Sequence, residues 1–367
     1  MNSHKVSLLV AILINVNIMI GAAIYIGPPQ IAATAGSYSF LGWILCAAVF
    51  LPVVLSINCL SHIYPGEAGL YLYARKTFGS SLGFFCGWLY FLGFVGAEAL
   101  QTVVLIQALA KFSGYYQLIE YAWFFKAIFF LLIFLICQLS ISRLGVIQSY
   151  ITFAKLIPIL FVLLTLFLSP FISSTQQGVE LANIDTFSFT SIVQTIPFAI
   201  FGFWGFESSC NISGRIKGGN KQASRALLIS FFLVTTIYAL FHLQTLLVMG
   251  SGGLAQNKIE GFIVSLGWKN PIYIKMFLTI LSVSIMVSYF NTILSEVTTY
   301  SFILQAMAKA KDLFMSKKII LSNKNLQPTV AIAINCSMAY FMAAFIPNEK
   351  ELIAIANLGI VFSFVIV

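Results

Sequence analysis

The chain predicts an all-α polytopic membrane protein of about ten spans, built as two five-helix blocks of opposite orientation, each opening on an interrupted helix. Three observations predict it. Of 367 residues, 60% are hydrophobic and 8% charged, far outside the range of a soluble domain. Thirteen of the 20 Lys and Arg residues fall on one side of the proposed spans. Two apolar stretches, Ile14-Asn15-Val16-Asn17-Ile18-Met19-Ile20-Gly21-Ala22-Ala23-Ile24-Tyr25 and Pro197-Phe198-Ala199-Ile200-Phe201-Gly202-Phe203-Trp204-Gly205-Phe206-Glu207, carry small residues at the depth where a span should run unbroken.

With about 20 apolar residues per crossing, the spans lie near 6–35, 39–62, 83–110, 121–141, 146–169, 190–214, 226–249, 272–300, 327–347 and 351–367. The apolar start is too long for a secretory leader and has no cleavage site, so it reads as the first span. The net charge of +9 is dispersed through loops without a basic stripe, which argues for topology and against a nucleic-acid partner. A cytoplasmic N-terminus puts thirteen cationic residues inside and six outside, among them Lys126 and Lys258, with Lys155 left within a span. This is the pattern of a multi-pass protein of the cell's inner membrane. The six cysteines have no ligand-like or disulfide-framework spacing and read as packing residues.

The polar run Ser173-Ser174-Thr175-Gln176-Gln177-Gly178 divides the chain into a first repeat (1–170), an extracellular connection (171–189) and a second repeat (190–367). Five spans is an odd number, so the second block must be inverted. Between spans two and three, Tyr64-Pro65-Gly66-Glu67-Ala68-Gly69-Leu70-Tyr71-Leu72-Tyr73-Ala74-Arg75 is dense in aromatics and predicts a helix lying in the interface. Gln305 to Phe314 predicts a similar amphipathic piece.

Backbone that leaves a helix inside a bilayer is tolerated where protein or a watery cavity satisfies it. A matched pair of such breaks in corresponding halves marks the binding site of a transported solute.

The motifs that carry a resemblance run through nearly the whole chain in order: Met19-Ile20-Gly21-Ala22-Ala23-Ile24 with Pro28 and Pro29; Pro65-Gly66-Glu67-Ala68-Gly69-Leu70-Tyr71-Leu72-Tyr73; Gly145-Val146-Ile147-Gln148 leading to Lys155; Phe203-Trp204-Gly205-Phe206-Glu207-Ser208; and Ala306-Met307-Ala308. In these the chain resembles bacterial amino acid permeases of the amino acid/polyamine/organocation superfamily. The resemblance implies the leucine-transporter-like 5+5 inverted repeat and secondary amino acid transport by alternating access, as proton-coupled uptake or as exchange of amino acids or polyamines. Two departures stand out. The family's first break is commonly Gly-Ser-Gly, whereas Gly21-Ala22-Ala23 loses a hydroxyl and adds a methyl. Members commonly have twelve spans, whereas this chain stops near the tenth, inside an apolar run, as a chain clipped after helix ten would.

A free amino acid has two charged ends, and a broken helix offers amide donors at one lip and carbonyls at the other. The carboxylate is therefore placed on amides near Ala22 and Ala23, and the ammonium on carbonyls of Met19, Phe201 and Trp204; the resemblance implies the same. Gly21 and Gly202 either open these breaks or merely permit close helix packing. Phe201 sits where related exchangers carry a gating aromatic, and Trp204 is placed to close over a side chain.

Ionisable residues inside spans are costly and demand a reason. For Glu207 the resemblance implies proton sensing or gate coupling; a helix cap is the alternative. Lys155 matches a lysine that takes the place of a sodium ion in sodium-coupled cousins, which makes the proton the expected coupling ion; bracing the fifth helix against the first is the alternative. Glu98 either lines the substrate side chain, which favours a cationic amino acid or polyamine, or pairs internally with Lys155. Glu296 is a second candidate partner for Lys155. His242 reads as a hydrogen-bonded packing residue.

No carboxylate or His cluster at catalytic or metal-ligand spacing suggests an enzyme, no filter-like loop a channel, and no phosphate-binding glycine loop an ATP-driven pump. No cofactor is expected, and the partners expected are an amino acid and the lipid bilayer.

Overall fold

Helix α1 (Leu8–Met19) begins at Ser7, whose side chain accepts a bond from the Val10 amide, and stops where Ile20 turns to ψ 70°. Helix α2 (Ala23–Ala35) resumes at 45° to it. These facts come from a computed structural model that describes residues 5–21, 23–172, 186–257, 259–346 and 348–367. Ala22, Lys258, the polar run 173–178 and most of the predicted 171–189 connection lie outside the described residues.

The chain continues through α3 (Leu41–Ile63), a short α4 (Gly69–Phe78), α5 (Ser80–Ser113), α6 (Ala122–Ile136) and α7 (Ile141–Ile172). Helix α4 overlaps the aromatic segment 64–75 and runs on to Phe78. The sixth crossing is broken more thoroughly than the first. It consists of α8 (Phe189–Val193), α9 (Ile196–Ala199), a 3-10 turn over Ile200–Phe203 and α10 (Ser208–Asn211), with Trp204 extended and Gly205 at φ +99° between the last two. There follow α11 (Gly219–Asn257), kinked at Gly250, then α12 (Pro271–Lys309), α13 (Thr329–Phe345) and α14 (Glu349–Ile366). Helical segments thus occupy each of the ten predicted crossings, with the first and sixth broken.

Among the described residues six helices are long and apolar enough to cross a membrane, or seven with the bent α1–α2 pair counted as one. Helices α6, α13 and α14 are shorter, at 15, 17 and 18 residues. The first three residues of α14, Glu349-Lys350-Glu351, place its start at an aqueous edge.

Two expectations change. Gln305 to Phe314 is no separate amphipathic helix: α12 runs on to Lys309, because Leu-Gln-Ala-Met-Ala-Lys is an uninterrupted run of strong helix formers. Lys126 is no loop residue either. It sits buried in the first turns of α6 and donates to the Ala343 carbonyl at 2.6 Å, capping the last turn of α13.

Helices α5 and α14 cross at glycine on both sides. A Cβ on Gly359 would stand 2.5 Å from the Leu89 carbonyl oxygen and 2.8 Å from Gly93 Cα. These are backbone atoms that cannot rotate aside. Gly359→Ala is expected to lower stability by about 1–3 kcal/mol, read as a lower melting temperature in detergent. Gly252→Ala, where a Cβ meets nothing within 4 Å, is the neutral control.

Candidate functional site

The two breaks face one hollow. Ile18, Met19 and Gly21 line it from the first break, Phe201 and Trp204 from the second, Phe94, Ala97 and Gln101 from α5, and Thr292 and Glu296 from α12. The hollow has a cavity volume of about 20 Å³, room for about one water. The site is closed down.

Breaking α1 frees carbonyls that bulk water cannot reach, and neighbouring helices take them up. Lys155 Nζ on α7 donates to the carbonyls of Asn17 at 2.8 Å and Ile20 at 2.6 Å. Tyr238 on α11 donates to the Met19 carbonyl at 2.7 Å, which also accepts from the Gly21 amide at 2.9 Å. From α12, Thr292 donates to Asn17 O at 3.1 Å and Ser288 to Ile20 O at 3.3 Å. The Met19 carbonyl, placed by the sequence as an ammonium acceptor, therefore already has two donors.

Two asparagines fasten the break from the side. Asn15 donates to Phe206 O and accepts from the Ser209 amide, joining the first helix to the second half of the sixth. Asn17 donates to Asn291 O and accepts from Asn291 Nδ2, which also reaches Thr152. At the second break a Cβ on Gly205 would lie 2.2 Å from Ile18 Cγ2, so the two interruptions touch.

The remaining candidates separate. Phe201 is half-buried on the cavity wall, whereas Trp204 is buried and tied through Nε1 to Asn357 on α14 at 3.1 Å. Gly202 faces the rings of Trp43 and Tyr238, 2.9 Å from where its Cβ would stand, and does not line the cavity. Ala23 opens α2, buried and away from the cavity wall. Glu296 lines the cavity with both carboxylate oxygens accepting from Gln101 Nε2, at 2.9 and 3.2 Å. Glu98 does not line it. Displaced by one residue, about 100° around the helix, from Ala97, it meets Asn335 on α13. Neither Glu98 nor Glu296 forms an ion pair with Lys155, which is held by carbonyls. Glu207 accepts from the Tyr90 hydroxyl and makes no side-chain cap to the turn that follows it, so a contact between the sixth helix and α5 replaces the capping alternative. His242 Nδ1 accepts from Trp43 Nε1 at 3.0 Å, so its proton sits on Nε2 and points to Ser39 Oγ.

On the face that carries the N-terminus the molecule is shut. Val6 pairs with the backbone of Arg215 and Lys217, Arg215 with Glu67 at 3.0 Å, and Arg75 with Asp312. Tyr71 also donates to Asp312, at 2.7 Å; burial first and that carboxylate second raise its phenol above the ordinary value, so it stays a donor.

Broken helices around a midplane hollow, in the order of the sequence motifs, point to one family, and the profile of the amino acid permease family matches residues 6–367. The chain belongs to that family. Among amino acid permeases and their relatives it is 23% identical over 362 residues to the serine/threonine exchanger SteT of Bacillus subtilis, covering 94% of this chain and 78% of the exchanger. It is 26% identical to the glutamate/serine transporter AimA of Bacillus subtilis, over 61% of this chain and 44% of AimA. The arginine/agmatine antiporter of Chlamydia pneumoniae is 28% identical, over 62% of this chain and 49% of the antiporter. The chain thus spans about half the length of these last two relatives. In fold it is similar to a substrate-bound, outward-open Na+-coupled sialic acid symporter, at a TM-score of 0.59 and 14% identity, covering 98% of this chain and 79% of the symporter. The fold of this family member is the leucine-transporter-like one.

Sequence reasoning missed Gln101, Thr292 and Phe94. The stripe Phe94, Ala97, Gln101, at i, i+3 and i+7, is the signal that could have found the α5 wall.

Gly205→Ala forces a methyl against Ile18 and a left-handed φ on an L-residue, and is expected to cost about 1–3 kcal/mol for the strain alone, with more for the contact. Melting curves beside Gly79→Ala, also at positive φ but with nothing within 4 Å of its Cβ, separate the two costs. Equal losses in the two variants would show that the touching breaks add nothing.

Proposed function

We propose that this chain carries an amino acid across the membrane by alternating access at the hollow between its two breaks. The observation that carries the reading is the meeting of both interrupted helices at one buried cavity with a carboxylate, Glu296, on its far wall. In this reading the substrate carboxylate goes to backbone amides near Ala22 and Ala23, which the hollow reaches only once it widens toward Ala23, and the carbonyls of Phe201 and Trp204 take the ammonium. The Met19 carbonyl joins them once Tyr238 lets go. The acceptor-rich wall of Glu296, Gln101 and Thr292 receives the side chain, and Phe201, free of any polar tether, moves to admit it. The carrier lies in the cytoplasmic membrane with its N-terminus inside.

Coupling to protons belongs to the same proposal. As an ammonium, Lys155 has three N–H donors and a charge for the carbonyls of α1; as an amine it is an uncharged and poorer donor. Gain or loss of that proton therefore changes how firmly the first helix is held to α7. Glu207, joined to Tyr90, passes movement at the second break to α5. No metal or organic cofactor enters this scheme.

Exchange is the second reading, favoured by the match to an exchanger over 94% of the chain. Purified protein in liposomes is expected to accumulate labelled amino acid when a pH gradient is imposed, with no need of sodium. Uptake that appears only with amino acid preloaded inside selects exchange. Lys155→Ala is expected to abolish net uptake while leaving substrate-induced thermal stabilisation, and undiminished uptake removes Lys155 from the mechanism.

A further inference from the structure

Behind the cavity wall a second carboxylate sits in a place the transport site does not use. Glu98 and Asn335 are both 0% exposed, between α5 and α13. Asn335 Nδ2 donates to Glu98 Oε1 at 3.3 Å and to Ser301 Oγ on α12 at 3.4 Å. The other two oxygens of the pair, Glu98 Oε2 and Asn335 Oδ1, are buried without a partner.

Among the described residues no cation balances this carboxylate. The ammonium of Lys155 is engaged by the carbonyls of Asn17 and Ile20. Among the described residues the ionisable groups within electrostatic reach of Glu98 are Glu296 on α12, Cys137 at the end of α6 and Cys336 on α13, none of which carries positive charge. Cys137 is itself engaged with Thr298. An ionised Glu98 would thus lie in a lipid-depth interior with one weak donor, beside a second carboxylate and an amide oxygen that also lacks a donor. Buried charges without a partner are the costliest groups a protein can hold.

A single proton removes every one of these conflicts. Carried on Glu98 Oε2, it gives the acid an O–H for the Asn335 carbonyl, while Asn335 Nδ2 continues to donate to Oε1. Acid and amide then form a closed ring of two opposed hydrogen bonds, with both unpartnered oxygens satisfied.

We propose that Glu98 and Asn335 form a proton-binding site between α5 and α13, the third and ninth crossings, occupied by one proton at neutral pH and separate from the substrate cavity. Its consequence for the cavity is electrostatic. Gln101, which holds Glu296, stands less than one helical turn along α5 from Glu98, so the bound proton keeps a second negative charge out of the wall behind Glu296.

Infrared spectroscopy of the full chain in lipid vesicles at neutral pH tests this without requiring transport. The wild-type minus Glu98→Gln difference is expected to contain the C=O stretch of a hydrogen-bonded carboxylic acid, sensitive to exchange into D2O, and no carboxylate bands. Carboxylate bands in that difference overturn the proposal. Glu98→Gln is further expected to melt near wild type, since its amide donates to Asn335 Oδ1 as the acid does. Should Glu98→Gln not fold, Asn335→Leu serves: the acid band is expected to move to the higher frequency of an acid without its amide partner, and an unmoved or absent band overturns the site.

Discussion

A peptide group released from a helix inside a bilayer has no solvent to turn to, and this constraint organises the centre of the molecule. Each carbonyl or amide left without a partner costs about 2–7 kcal/mol, so a break persists only if other helices supply donors. The end of α1 shows the supply in detail. Lys155 comes from the fifth crossing, Tyr238 from the seventh, and Thr292 and Ser288 from the eighth. The arrangement of those crossings around the first is therefore fixed by where its freed carbonyls point. Asn15 and Asn17 add a second set of ties, to the sixth and eighth crossings.

Charge is handled differently at the two depths. Ion pairs lie at the aqueous face, Arg75 with Asp312 and Arg215 with Glu67. At membrane depth the ionisable groups use neutral partners instead: Lys155 takes carbonyls, Glu207 a tyrosine hydroxyl, Glu296 an amide and His242 an indole. Separating two opposite charges in a low-dielectric interior is far costlier than exchanging one neutral hydrogen-bond partner for another. On the proposed function, a site that rearranges during each transport cycle is better served by the second kind of contact, and a face that stays shut until the cycle turns by the first.

The crossings and both breaks were legible in the sequence because they depend on local properties. Apolar run length sets a span, and small residues such as Gly21 and Gly205 mark where it ends. Partners were not legible, because spans apolar on all sides give no periodicity to say which face turns inward. Glu98 shows the consequence: a single residue's displacement from Ala97 separates the cavity wall from the Asn335 pair. Gly202 shows another, since a small residue beside a break serves a close approach to Trp43 and Tyr238 and not the cavity. The run from Gln305 to Lys309 misled for the opposite reason. Its local pattern is that of an interfacial helix, but nothing in it interrupts the helix already under way.

The contacts between the two broken helices also limit how this molecule can open. On the face of the N-terminus, Val6 is paired with Arg215 and Lys217, Asn15 with Phe206 and Ser209, and Ile18 lies against Gly205. These three links run from the N-terminal face to the break, so in the proposed cycle α1 and the second half of the sixth crossing travel as one body. Movement of that body toward an open state must break its ties to α4, α5, α7 and α12. At the surface these are the Arg215–Glu67 salt bridge and the bond from the Ala68 amide to the Asn211 carbonyl, both on the segment just before α4; at depth they are the Tyr90–Glu207 contact and the bonds of Lys155 and Thr292. Of these, the Lys155 and Thr292 bonds lie directly on the carbonyls of the first break, and in the proposed scheme those of Lys155 are the ones whose strength depends on a proton. In the proposed scheme a single protonation event at Lys155 thus acts on the whole moving body, without needing to reach the substrate.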